Sequence, residues 1–332
     1  MVISKTPFRI SFFGGGTDFP SWYETHKGLT ISTTIDYYSY VSSRYLPSFF
    51  KNLNYRISYS KIENVKEINQ IKHNAIRKFF EYKNLKKIEL LINSDLPARS
   101  GLGSSATFLV GLNNSISNLI GKKIGNRELY EDAINFEQNI LKEACGSQDQ
   151  VIVSVGGFRA INYSHNGIGV HNINISNKRK LHFENSLVLF FTGFSRTSSQ
   201  IEKKKINNIF KNKEKYMEIY NLSVEAKKIF ENKNSNLNEI GKLLNESWNI
   251  KKKLANEVSN SCIDEMYDCG IRNGAIGGKI LGAGNGGFML FYVKPENKKK
   301  LISSMKNLIY VPVKFSNQGS QIIHKTSEKI KI

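Results

Sequence analysis

Two hydrophobic rhythms run along this chain, and the switches between them mark its elements. VISKTPFRISFF at 2–13 reads as a strand entering a glycine turn, Gly14 to Gly16, and LTISTTIDYYSYVSSRYL at 29–46 is β-branched and aromatic enough for one long strand. YRISYS at 55–60 and IELLINS at 88–94 are further strands. Between them Ile68, Ile71, Ala75, Ile76 and Phe79 fall at helical spacing, which predicts a helix over 65–82. Phe108, Leu109, Leu112, Ile116, Leu119 and Ile120 predict another, opening at Ser104 and Ser105. A third is expected from Asn126, a suitable N-cap, to a point before Gly146. VIVSVGGFRAINY at 151–163 then reads as a hairpin-like pair of strands.

The second half begins with SLVLFFTGF at 186–194 as a buried strand, followed by lysine-rich helices over roughly 199–273. AIGGKILGAGNGGFMLFYV at 275–293 is two strands joined by a glycine turn, and a helix near 296–307 precedes a closing strand, LIYVPVKF. The pattern is that of a two-lobed α+β protein with its boundary near 165–185, which divides the chain into lobes 1–175 and 176–332.

Composition narrows the classes. No apolar run approaches the roughly 18 to 20 residues that cross a bilayer. The beginning of the chain lacks a secretory pattern, so a cytoplasmic protein with no membrane partner is expected. Three cysteines and six histidines show neither disulfide nor zinc spacing. Lys and Arg number 48 against 28 Asp and Glu, a net charge of +20. The excess is lysine on helix surfaces such as IEKKKINNIFKNKEKY at 201–216, with none of the interleaved Arg and aromatics of a stacking platform, so no specific nucleic acid is expected.

The chemistry concentrates in PARSGLGSSA at 97–106. Gly101 and Gly103 permit positive φ and leave no Cβ in the way of an oxyanion, and the helix opening at Ser104 favours an anion through its amides and dipole. GAIGGK at 274–279 fails as a P-loop. GAGNGG at 282–287 fits GxGxxG but precedes the apolar strand FMLFYV, which disfavours a dinucleotide site.

Four segments in fixed order, PxRIxxxGGGTD from Pro7 to Asp18, PxxxGLGSSA, CGxxDQ from Cys145 to Gln150, and KxxGAGxGG from Lys279, resemble the GHMP small-molecule kinases, a family that includes galactokinase, mevalonate kinase and homoserine kinase. The resemblance spans nearly the whole chain. It implies a ribosomal-protein-like N-terminal lobe and a ferredoxin-like C-terminal lobe. By the same resemblance Pro97, Ser100, Gly101, Leu102, Gly103, Ser104, Ser105 and Ala106 hold the phosphates of ATP, and Mg²⁺ takes the Ser105 hydroxyl and the Glu137 carboxylate. Asp149, twelve residues beyond Glu137 and just past a helix end, receives the acceptor's proton with Arg9 beside it. On residue type alone Glu137 reads as a solvated helix residue, Asp149 as a turn aspartate and Arg9 as a surface strand residue.

Gly14, Gly15, Gly16, Thr17 and Asp18, with Gly284 and Gly286, are expected around the acceptor, since a carboxylate accepts two hydroxyls and glycines permit close approach. Galactokinase-like members carry Glu and His just before the TD pair, where this chain has Gly15 and Gly16, which leaves room for a different or larger sugar. FFGGGTDFPSW instead resembles the bacterial D-glycero-D-manno-heptose 7-phosphate kinases, with fucokinases more distant. That implies phosphorylation of the heptose 7-phosphate at its anomeric hydroxyl, for surface polysaccharide. A distal phosphate needs its own cation, for which Arg196 and Arg99 are candidates. The rivals are another sugar 1-kinase, of fucose or galactose, and an RNA-binding module, which would need neither Asp149 nor Glu137.

Overall fold

The computed structural model describes residues 1–193 and 199–326. The chain opens with β1 (Val2–Phe13), α1 (Pro20–Tyr23), β2 (Gly28–Tyr45), β3 (Tyr55–Ser58), β4 (Ile62–Val65), α2 (Asn74–Tyr82) and β5 (Ile88–Ser94). Then come α3 (Ser104–Leu119), α4 (Asn126–Asn135), α5 (Gln148–Val155), β6 (Phe158–Ser164) and β7 (Gly167–Asn172). The second half holds α6 (Asn177–Asn185), β8 (Leu187–Phe191), α7 (Ser199–Asn207), α8 (Lys213–Glu231), α9 (Asn238–Lys252) and α10 (Ser261–Arg272). It closes with β9 (Ala275–Ile280), β10 (Phe288–Val293), α11 (Lys298–Ser304), β11 (Ile309–Val311), β12 (Phe315–Ser316) and β13 (Gln321–Lys325).

β2, the long strand expected from its β-branched and aromatic run, organises the first sheet. It pairs with β1 along most of its length, with β6 through Gly28–Thr33 and with β5 through Ser39–Tyr45. The second sheet is antiparallel in the order β11-β8-β10-β9. Counted within that sheet the order is 4-1-3-2, the ferredoxin-like arrangement. One apolar core runs through both halves. Phe12 from β1 and Phe183 from α6 meet edge to face at 5.1 Å, as do Phe158 and Phe230 at 5.0 Å.

Four local expectations are corrected. The helix predicted over 65–82 begins only at Asn74, because the Glu63 carboxylate captures the backbone N–H groups of Lys72 and His73 at 2.6 and 3.2 Å. VIVSV is the body of α5, with three successive residues, Val151, Ile152 and Val153, all fully buried, so no helical period shows there; the hairpin is β6 with β7. LIYVPVKF is two strands in different sheets: β11 pairs with β8 and β12 with β2, separated by Pro312, which has no N–H to continue a ladder. β12 and β13 thus return to the first sheet, so a division at 175/176 separates these two strands from the sheet they join.

Candidate active site

The loop between β5 and α3 is shaped by what lies under it. Gly101 and Gly103 have φ of 85° and 79°. A Cβ on Gly101 would lie 2.5 Å from the Leu281 carbonyl oxygen, and one on Gly287 would lie 2.2 Å from that of Ser100. The GLGSSA loop and the GAGNGG turn therefore press backbone to backbone, tied by the Phe288 N–H donating to the Ser100 carbonyl at 3.0 Å. Gly103 caps α3, whose first-turn amides have no acceptor within the helix. Gly101, Gly103, Ser104, Ser105 and Ala106 line a cleft between the lobes. Pro97, Ser100 and Leu102 do not: Pro97 is exposed, whereas Ser100 and Leu102 are fully buried and set the shape of the loop.

Arg9 and Asp149 face each other across this loop. Nε of Arg9 donates to Oδ1 of Asp149 at 2.8 Å and Nη2 to Oδ2 at 2.7 Å, while Nη1 donates to the Gly101 carbonyl at 2.7 Å. Arg9 is 4% exposed, so it is no surface strand residue. Asp149 lies in the first turn of α5, two residues after the N-cap Ser147, and not just past the end of the preceding helical turn, which closes at Ile140. Its side chain keeps 28% exposure, toward the cleft it lines.

Glu137 is buried at 3% exposure in a π-helical turn, Phe136–Ile140, that follows α4. The Ser105 hydroxyl donates to its Oε1 at 2.6 Å and the Gln150 amide to its Oε2. Burial pushes this carboxyl up to about 7, only partly offset by those two hydrogen bonds. Among the described residues no three His, Cys, Asp or Glu side chains gather into a metal cluster. A hydroxyl beside a buried carboxylate with no side-chain cation bonded to it does fit a hard ion that keeps water and substrate oxygens for the rest of its shell. Cys145 lines the cleft too, but burial pushes its thiol up and leaves it unreactive.

Asp18 is 5% exposed and uses both oxygens, accepting from the Gly16 N–H at 2.8 Å and the Gln148 N–H at 3.1 Å. Burial raises its carboxyl to about 6. Gly146 passes so close that a Cβ there would sit 1.9 Å from Oδ2. Gly15, Gly16 and Asp18 line the cleft, as do Gly284 and Gly286. Gly14 and Thr17 instead build the turn. The buried Thr17 hydroxyl donates to the Gly14 carbonyl at 2.8 Å, and a Cβ on Gly14 would strike the Leu29 carbonyl oxygen at 1.8 Å.

Sequence reasoning missed the opposite wall. Lys205, Lys251 and Lys279 all line the cleft, with Glu202 and Tyr216. Lys205 and Lys279 are each 5% exposed. Of the three only Lys205 falls in a stretch read as a solvated basic surface; Lys279 opens KxxGAGxGG and stands within the apolar run AIGGKIL, a signal of burial. Arg99 lines the cleft rim, and Arg196 lies outside the described residues.

Known proteins resemble this chain in sequence and in fold. Residues 69–157 match the GHMP kinases N terminal domain and residues 226–310 the GHMP kinases C terminal domain. The chain is 30% identical to the D-glycero-alpha-D-manno-heptose 7-phosphate kinase of Campylobacter jejuni, over 92% of this chain and 93% of that protein. It is 26% identical to the mevalonate kinase of Methanocaldococcus jannaschii, over 92% and 96%. A crystal structure of a D-glycero-D-manno-heptose 1-phosphate kinase from Bacteroides thetaiotaomicron superposes with a TM-score of 0.77 at 22% identity, covering 98% of this chain and all of that one, a likeness of fold. With both domain matches in order along a two-lobed fold and a relative matched over nearly its full length, this chain belongs to the GHMP kinase family.

Proposed function

We propose that this enzyme transfers the terminal phosphoryl group of ATP to the anomeric hydroxyl of D-glycero-α-D-manno-heptose 7-phosphate, giving the 1,7-bisphosphate. The observation that carries the reading is the Arg9–Asp149 pair, which joins the phosphate loop at Gly101 to the Asp18 side of the cleft. The heptose rests on the glycine turn at Gly15 and Gly16 and on the 30% identical relative. The enzyme is read as cytoplasmic, where ATP is at hand, and as having no nucleic-acid partner.

The charges around Asp149 give the site a direction. Asp18 feels Asp149 and Glu202, whereas Glu137 feels Asp149 and Glu143. Asp149 is thus a charged neighbour of both Glu137, on the proposed donor side, and Asp18, on the proposed acceptor side. Amides of the 101–106 loop receive the triphosphate. Ser105 and Glu137 would hold Mg²⁺, which when bound neutralises charge on the phosphate oxygens. Asp18 and the glycine turn take sugar hydroxyls. Asp149 orients the attacking hydroxyl and accepts its proton late, in a loose transition state where alignment matters more than basicity. Arg9 fixes the Asp149 carboxylate and offers a permanent positive charge beside the reacting oxygens.

A coupled ADP-release screen over heptose 7-phosphate, mannose, fucose and galactose tests this. Turnover with heptose 7-phosphate well above the other three is expected. A preference for fucose or galactose would move the enzyme to the rival sugar, and ADP release with none of them would refute the reading.

A further inference from the structure

Lys205, Lys251 and Lys279 come from three separate elements, α7, α9 and β9, yet converge on one wall of the cleft. Each ammonium is anchored by main-chain oxygen: Lys205 to Ala283 at 2.9 Å, Lys251 to Ile280 and Gly282 at 3.1 and 2.5 Å, and Lys279 to Phe12 at 2.8 Å. Among the described residues the one carboxylate bonded to the cluster is Glu202, 3.3 Å from Lys205. An ammonium has three donors, so every one of these lysines keeps at least one N–H to spare. Tyr216 adds a hydroxyl that is fully buried, lines the same wall and has no hydrogen-bond partner among the described residues. Two buried ammonium groups and a half-buried third against one carboxylate are costly unless an anion completes them.

We infer that Lys205, Lys251 and Lys279, with the Tyr216 hydroxyl, form a subsite for a phosphate group carried by the acceptor, distal to the hydroxyl that is phosphorylated. The position decides between acceptor and nucleotide. Lys279 bonds β1 at Phe12, just before the glycine turn, and a Cβ on Gly16 would lie 2.7 Å from the Tyr216 ring. Glu202 acts on Asp18, on the acceptor side of Asp149, while Ser105 and Glu137 lie on the other. Desolvation, with Arg9 and Lys205 nearby, lowers Lys279 to about 7, and Lys251 is lowered by burial, Lys205 and Lys279; a bound dianion reverses this and draws protons in. The inference deepens the sugar-kinase reading and rests on it for the acceptor side of the cleft.

The test compares wild type with Lys205→Gln and Lys251→Gln, measuring KM for ATP, for heptose 7-phosphate and for the same heptose without its phosphate. In wild type the phosphorylated sugar should have a KM at least about tenfold lower, the worth of one charged hydrogen bond. Each variant should bring that ratio toward one and leave KM for ATP within about twofold, and Lys251→Arg should retain the ratio. Variants that keep the wild-type ratio, or that raise KM for ATP instead, overturn the proposal. Calorimetry of D-mannose and D-mannose 6-phosphate on nucleotide-free protein separates this from the kinase reading. Tighter binding of the 6-phosphate with proton uptake, both lost in the variants, sustains the subsite even if no sugar is turned over, and equal affinities refute it even if one is.

Discussion

Both carboxylate oxygens of Asp149 are gripped by the guanidinium of Arg9, at 2.8 and 2.7 Å, across 140 residues of chain. The third arm of that guanidinium holds the carbonyl of Gly101, so the aspartate and the loop proposed for the triphosphate share one rigid connector. Asp149→Asn keeps the shape but replaces one acceptor with a donor facing Nε or Nη2. Turnover should fall roughly 10²–10⁴-fold, the usual worth of a positioned acid–base group, with ATP affinity nearly unchanged. Steady-state kinetics beside a nucleotide-binding titration checks this, and near-normal turnover would remove Asp149 from its role.

Gly103 is where loop and pair meet. A Cβ there would lie 3.1 Å from Cγ of Arg9 and 3.4 Å from Oδ2 of Asp149, at a φ of 79°. Gly103→Ala should cost about 1–2 kcal/mol of stability from the left-handed backbone. Its larger effect should be on kcat, lowered up to about 100-fold by a displaced pair. Thermal melts with kinetics separate the two.

Much of this site was legible because its residues sit in contiguous motifs whose spacing is set by backbone geometry. GLGSSA announced a helix opening at Ser104, and Asp149 and Glu137 were found through the resemblance of CGSQDQ to a family segment and the twelve residues between them. The lysine wall was not legible. Its members lie on three elements brought together only by the second lobe, in a chain whose abundant lysine hides two buried ones and a half-buried third. The same limit explains α5, where three successive buried residues show no helical period, and the late helix start at Asn74, which a carboxylate eleven residues upstream decides.

Ser105 and Glu137 give a prediction that does not depend on turnover. Mg²⁺ should raise the melting temperature of the wild type, and Glu137→Gln, which keeps the shape but leaves an acceptor toward only one of Ser105 and Gln150, should abolish that rise. Ser105→Ala should raise the Mg²⁺ concentration for half-maximal activity by about tenfold, one lost oxygen ligand being worth on the order of 1.4 kcal/mol. Differential scanning fluorimetry across a Mg²⁺ series reads the first and kinetics the second.

Lys279 sets a pH dependence with a definite sign. Its ammonium is lowered from 10.5 to about 7 in the folded protein, so between those values the unfolded chain holds a proton that the folded one lacks, and this group makes stability rise with pH. Replacing it removes that contribution. The melting temperature of Lys279→Met minus that of wild type should therefore decline from pH 6 toward pH 10, whatever constant offset the lost bond to Phe12 adds. A flat difference would mean that Lys279 stays charged throughout.

The central claim is spatial: the 101–106 loop grips the donor's phosphates while Asp149, on the other side of Arg9, meets the acceptor. A crystal structure with Mg²⁺ and a non-hydrolysable ATP analogue tests it most directly. The account predicts phosphate oxygens within hydrogen-bond reach of the amides of residues 101–106, the metal on Ser105 and Glu137, and the terminal phosphate facing Asp149. Phosphates bound instead at Lys205 and Lys251, with the loop empty, would contradict it.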